Sequence, residues 1–123
     1  MTGPILIVED DDRVADLVAF KFETQGYETQ VVHNGADAWS LLEERPSPPQ
    51  AIILDLVMPG VDGIELLSRI NDSSTLSSVP VVVLTGREDD AVVTRAFDLG
   101  AADYVTKPFS PAALVKRVER FLR

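Results

Sequence analysis

Ala51-Ile52-Ile53-Leu54 is an unbroken apolar run closed by an acid, Asp55. A half-wet strand alternates apolar and polar residues, whereas an unbroken run must be covered on both faces. Ile5-Leu6-Ile7-Val8 and Val81-Val82-Val83-Leu84 have the same character, and they run into Glu9-Asp10 and into Thr85. A fourth run, Asp103-Tyr104-Val105-Thr106, ends at Lys107. If these strands are parallel, their C-terminal ends share one edge of a sheet, where open α/β sheets bind ligands. Three carboxylates, a hydroxyl and an ammonium would then converge. That set suits Mg²⁺-assisted phosphoryl chemistry with Asp55 as nucleophile.

Outward from these runs, short apolar segments alternate with helical patterns five times, the signature of a βα-repeating fold. The spacing predicts strands over 4–8, 28–32, up to Asp55, from Pro80 and over 102–106. Helices are expected over 12–25, 35–44, 63–70, 88–99 and from Pro111, with Ser110 as N-cap and proline at the first helical position. Val14, Leu17 and Val18 should face inward on the first helix, which stops at Gly26. Ala38, Leu41 and Leu42 should do so on the second, and Ile64 and Leu67 on the third. Pro46, Pro48 and Pro49 forbid continuation of the second helix, and Pro59-Gly60 marks a turn. The stretch 71–78, rich in Ser and Asp, is expected to be a solvated loop.

At 123 residues the chain is expected to form one domain with a real core, spanning 1–123. Its formal charge of −9 argues against binding a nucleic-acid backbone, which needs clustered Lys and Arg. With no cysteine it has no disulfide, thiolate nucleophile or Cys-based metal site. Met1-Thr2-Gly3-Pro4 lacks a basic segment before an apolar one, so no signal peptide is expected, and no apolar run approaches the ~20 residues of a membrane span. A cytoplasmic location is the expectation.

Each candidate residue also has a plain structural explanation. One acid of Glu9-Asp10-Asp11-Asp12 suffices to cap a helix, and acids in a first turn suit the helix dipole, but four like charges repel unless a cation is near. Asp55 after a buried strand is costly unless compensated, and a hard divalent cation would neutralise it beside Asp10. Thr85, Lys107 and Tyr104 would be ordinary alone and gain weight from sharing an edge with the acids. His33, the only histidine, is read as exposed and structural on a peripheral strand, and Trp39 as helix surface or partner packing.

Taken together, Ile5-Leu6-Ile7-Val8-Glu9-Asp10-Asp11, Leu54-Asp55-Leu56-Val57-Met58-Pro59-Gly60-Val61-Asp62-Gly63, Val83-Leu84-Thr85-Gly86 and Gly100 through Phe109 resemble the receiver domain of two-component response regulators, over essentially the whole chain. The likeness is greatest to receivers of the DNA-binding winged-helix subfamily. It implies a five-stranded parallel sheet in the order 2-1-3-4-5 with helices on both faces. It implies that Asp55 accepts a phosphoryl group from a histidine kinase or phosphotransfer protein, with Lys107 and Thr85 contacting phosphoryl oxygens. Mg²⁺ would be held by Asp10, Asp55, the Val57 carbonyl and Glu9 through water. Thr85 and Tyr104 would form a switch toward the face made by the fourth helix, fifth strand and fifth helix. The resemblance further implies an output domain beyond the C-terminus and a homodimer through that face. Asp103 and Arg117 stand at matching positions for the usual charge pairs there, but Val93, Ala102 and Ala113 stand where charges are usual. With Phe97 beside Val93, the face is expected to be apolar.

Two other classes compete with a signalling module that assists its own phosphorylation and dephosphorylation. A Mg²⁺-dependent phosphohydrolase with an aspartate nucleophile usually carries a second acid two residues later, where this chain has Val57. A phosphate-independent interaction module would have no use for the complete set of five polar residues.

Overall fold

The computed structural model describes residues 3–56, 63–86 and 90–122. Strands β1 (Ile5–Val8), β2 (Thr29–Val32), β3 (Ala51–Leu54), β4 (Val81–Thr85) and β5 (Asp103–Thr106) alternate with helices α1 (Asp12–Thr24), α2 (Gly35–Glu44), α3 (Gly63–Asp72), α4 (Asp90–Asp98) and α5 (Pro111–Glu119). The strands form one parallel sheet in the order β2-β1-β3-β4-β5. Fold class and strand order are therefore as the sequence implied. Among the described residues no helix is long and apolar enough to cross a membrane.

The doubly covered sheet follows from strand geometry, because successive side chains point to opposite faces. Leu6, Val8, Ile52, Leu54, Val81 and Val83 pack with Ala38, Leu42, Leu66, Leu67, Ile70 and Ala96, residues of α2, α3 and α4. The intervening Ile5, Ile7, Ala51, Ile53, Val82 and Leu84 pack with Ala15, Val18, Phe22, Leu114, Val115 and Val118, from α1 and α5. Helix ends match their caps: Asp11 accepts from the Arg13 and Val14 amides, Asn34 from Asp37 and Ser110 from Ala113.

Two expectations differ from the structure. On α1 the buried stripe is Ala15, Val18 and Phe22, and Leu17 is 49% exposed. At 3.6 residues per turn, Leu17 lies about 100° around the helix from Val18, off a stripe that Phe22 sets. The stretch 71–78 is no free loop either. Helix α3 runs to Asp72, and Leu76 is buried in the α2/α3/α4 layer together with Val79. The Leu76 amide donates to Ser73 Oγ at 3.2 Å, so the polar residues fold a turn around an apolar anchor. The Pro59-Gly60 turn and the start of the fourth helix at 88 lie outside the described residues.

Gly63 begins α3 where the helix meets the end of β3. Its amide donates to the Leu56 carbonyl at 3.1 Å, and a Cβ there would lie 2.3 Å from Leu56 Cα and 2.5 Å from the Asp55 carbonyl oxygen. Both are backbone atoms, so a side chain would have to lift the helix. At Gly26, where φ is +94°, an added Cβ meets nothing, and only backbone strain opposes it. Gly63→Ala should therefore destabilise the domain by about 3 kcal/mol, against about 1 kcal/mol for Gly26→Ala. Paired urea titrations would check the ranking, and equal losses would contradict the close approach.

Candidate phosphoryl-acceptor site

The ladder continues past the formal strand ends and places the polar residues. The Asp55 amide donates to the Val8 carbonyl at 3.0 Å, the Glu9 amide to Val32 at 3.0 Å and the Lys107 amide to Thr85 at 2.9 Å. Parallel register therefore lines up Glu9 with Asp55, and sets Lys107 one residue past Thr106, the partner of Thr85. Carboxylate oxygens of Glu9, Asp10 and Asp55 lie within 4.8 Å of one another. Glu9 and Asp55 are only 2% and 4% exposed, and Thr85 is fully buried. Asp10 is exposed.

Lys107 supplies the compensating charge. Its Nζ donates to Asp55 Oδ2 at 3.2 Å and stands 2.9 Å from Glu9 Oε1, close enough for an ion pair although not aligned for a hydrogen bond. Burial alone would lower the pKa of this ammonium, but Glu9 and Asp55 outweigh it and raise the value. Glu9 is pushed up to about 7, chiefly by burial, against the opposing pull of Lys107 and the Asp11 amide, with Asp55 adding repulsion. The Asp11 amide reaches Glu9 Oε2 at 3.1 Å. The Lys107–Pro108 peptide is cis.

Oxygen-only donors at this spacing fit a small hard cation, which takes one or two carboxylates and keeps several waters. Of the residues singled out in the sequence, the structure clusters Glu9, Asp10, Asp55 and Lys107, and sets Thr85 at the same edge. Val57 lies outside the described residues. Tyr104 stands away from the cluster, opposite Val83, and packs against the α2/α3/α4 layer. By strand alternation Thr85 lies on the same sheet face as Val83, so Thr85 and Tyr104 are diagonal neighbours on adjacent strands.

His33 needs correction. It is 51% exposed, as expected, but it sits at this edge, with Nδ1 2.9 Å from the Glu9 carbonyl oxygen and 3.5 Å from Asp12 Oδ1. The peripheral strand carrying it is β1's parallel neighbour, so its C-terminal end reaches the same edge. The order 2-1-3-4-5 held that information. Trp39 is half-buried against the core, with the Arg69 guanidinium 5.8 Å from its ring centroid. On the opposite flank Arg117 clamps Asp103 through two hydrogen bonds of 2.8 and 2.9 Å within the same chain. That pairing holds the Asp103 carboxyl below its usual range.

Residues 5–119 match the family described as the response regulator receiver domain. The chain belongs to that family. It is 37% identical over its whole length to the phosphate regulon transcriptional regulatory protein PhoB of Rhizobium meliloti (strain 1021), covering 53% of that protein. It is 35% identical over 97% of its length to the protein of the same name from Pseudomonas aeruginosa, covering 50%. The chain thus spans about half the length of these curated relatives. Among solved structures, the signal receiver domain of a signal transduction histidine kinase from Syntrophus aciditrophicus superimposes with a TM-score of 0.89 at 36% identity, over 98% of this chain and 90% of that one. This receiver is accordingly a module of two-component signalling.

The raised Glu9 value has a definite sign. An acid whose folded pKa exceeds its unfolded one holds its proton longer in the folded state, so stability falls as pH rises between about 4.5 and 7. In metal-free buffer, the stability of the parent relative to Glu9→Gln should drop by roughly 3 kcal/mol across that window. Urea titrations at stepped pH would measure it. A difference that is flat with pH would remove the buried, proton-holding Glu9.

Proposed function

We propose that this receiver takes a phosphoryl group onto Asp55 from a histidine-kinase or phosphotransfer-protein phosphohistidine, and that the modified state is read through Thr85 and Tyr104. The observation carrying this reading is a buried strand-end carboxylate, Asp55, bonded by an ammonium at 3.2 Å and crowded by two further acids. An Asp55 oxygen forms the new P–O bond as the donor's P–N bond breaks. Transfer of this kind needs charge neutralisation and in-line positioning more than acid–base chemistry. In this reading Lys107, which bonds Asp55 at 3.2 Å, follows a phosphoryl oxygen, and Thr85, at the next strand end, donates its hydroxyl to another. Glu9, Asp10 and Asp55, with the Val57 carbonyl, would hold Mg²⁺, which when bound neutralises carboxylate charge that the Lys107 ammonium leaves over.

Phosphorylation adds roughly −1.5 to −2 charge at this edge. Drawing Thr85 toward it opens space along the face that Tyr104 shares, a two-state element biased by a local charge change. The face downstream is α4, β5 and α5. Phe97 is 45% exposed there, and Asp103 and Arg117 satisfy each other. Contact with a second copy or an adjoining output domain through this face would therefore rest on apolar packing. The chain is read as one domain of a cytoplasmic regulator, with output supplied beyond it and no nucleic-acid contact of its own.

Two measurements test the reading. Asp55→Asn should lose Mg²⁺-dependent labelling by acetyl phosphate or a phosphorylated kinase, and undiminished labelling would refute Asp55 as acceptor. Like charges ~4 Å apart repel by about 4 kcal/mol at an effective dielectric of ~20. Mg²⁺ should therefore raise the melting temperature of the parent, and Asp10→Ala should lose most of that rise. An equal rise in the variant would put the ion elsewhere.

A further inference from the structure

We propose that His33 is a positioning residue for the acid turn: its Nδ1–H fixes the Glu9–Asp10 peptide plane and so aims the carboxylates that would receive Mg²⁺. The proposal rests on the reading of the site just given and assigns a residue to it from the neighbouring strand.

A carbonyl oxygen only accepts, so at 2.9 Å from the Glu9 oxygen the His33 Nδ1 carries the hydrogen and donates it. The preceding residue, Val32, accepts the Glu9 amide at 3.0 Å. Two consecutive residues at the end of β2 thus hold both backbone polar groups of Glu9. A peptide unit is planar, so holding its oxygen also holds the following nitrogen and Cα, here those of Asp10. That matters because Asp10 alone of the three clustered acids is exposed and lacks a packed shell. Glu9 and Asp55, by contrast, are held by burial and by Lys107.

The ring is itself held. Asn34, next in the chain, caps α2 by accepting the Asp37 amide at 2.8 Å, which fixes the backbone just after His33. Asp12 Oδ1, 3.5 Å from Nδ1, puts a carboxylate on the donor side of the ring. Groups that hold metal-binding residues from behind act in this way, by removing alternative geometries before an ion binds.

Three substitutions separate this role from a general structural one. Asn places an amide N–H as many bonds from Cα as Nδ1, whereas Gln places it one atom further out. Nuclear magnetic resonance titration with MgCl₂ should show affinity falling about tenfold in His33→Ala, recovering in His33→Asn and staying low in His33→Gln. In the metal-free proteins the Glu9 carbonyl and Asp10 amide resonances should shift in His33→Ala and return in His33→Asn. Unchanged Mg²⁺ affinity in His33→Ala would overturn the proposal, as would recovery by Gln but not Asn. If His33→Ala is partly unfolded, the Asn and Gln pair decides. A parent domain that takes up no Mg²⁺ would overturn the site reading and this proposal together, and it differs from the other failures because the parent is what fails.

Discussion

Charge crowding at one edge of a parallel sheet is the constraint on which the rest of the structure depends. Parallel pairing brings Glu9 and Asp55 side by side because their strands are neighbours in register. Neither carboxylate has water to spread its charge into. Lys107, arriving from the far edge of the sheet, contacts both. Removing one partner of such a buried group strands the remaining charges. The energetic tension at the edge makes it sensitive to any added cation or anion.

The same sheet carries that sensitivity elsewhere. Strand alternation sends odd and even positions into two separate layers, one under α1 and α5 and the other under α2, α3 and α4. Thr85 and Tyr104 lie on the face of the second layer, the side of the sheet that α4 covers and α1 does not. Gly63 contributes from below: with no side chain, it lets α3 start against the backbone of Asp55 and Leu56. The strand end that carries Asp55 is thereby packed closely against the start of α3.

Much of this was legible in the sequence. Three unbroken apolar runs and a fourth mixed one, each followed by a polar residue, pointed both to the doubly covered sheet and to the edge where the polar residues gather, because burial on two faces and parallel direction leave few other arrangements. What escaped had local causes. Leu17 fits a helical pattern but falls outside the stripe that the larger Phe22 sets. Leu76 is a single apolar residue in a polar run, too isolated to register as an anchor. His33 follows a peripheral strand, and only the strand order shows that this strand lies beside β1. The Asp103–Arg117 clamp depends on where α5 lies over β5, which spacing along the chain does not fix.

That clamp bears on the speed of encounter. Opposite charges left open on a surface steer partners toward one another over distances near the Debye length, about 10 Å at 0.1 M salt. On this face the guanidinium and the carboxylate cancel at short range within one chain. What a second copy senses from afar is then the overall charge of −9, which repels it. Any approach between copies of this domain would be slowed by that repulsion, the more so the lower the salt.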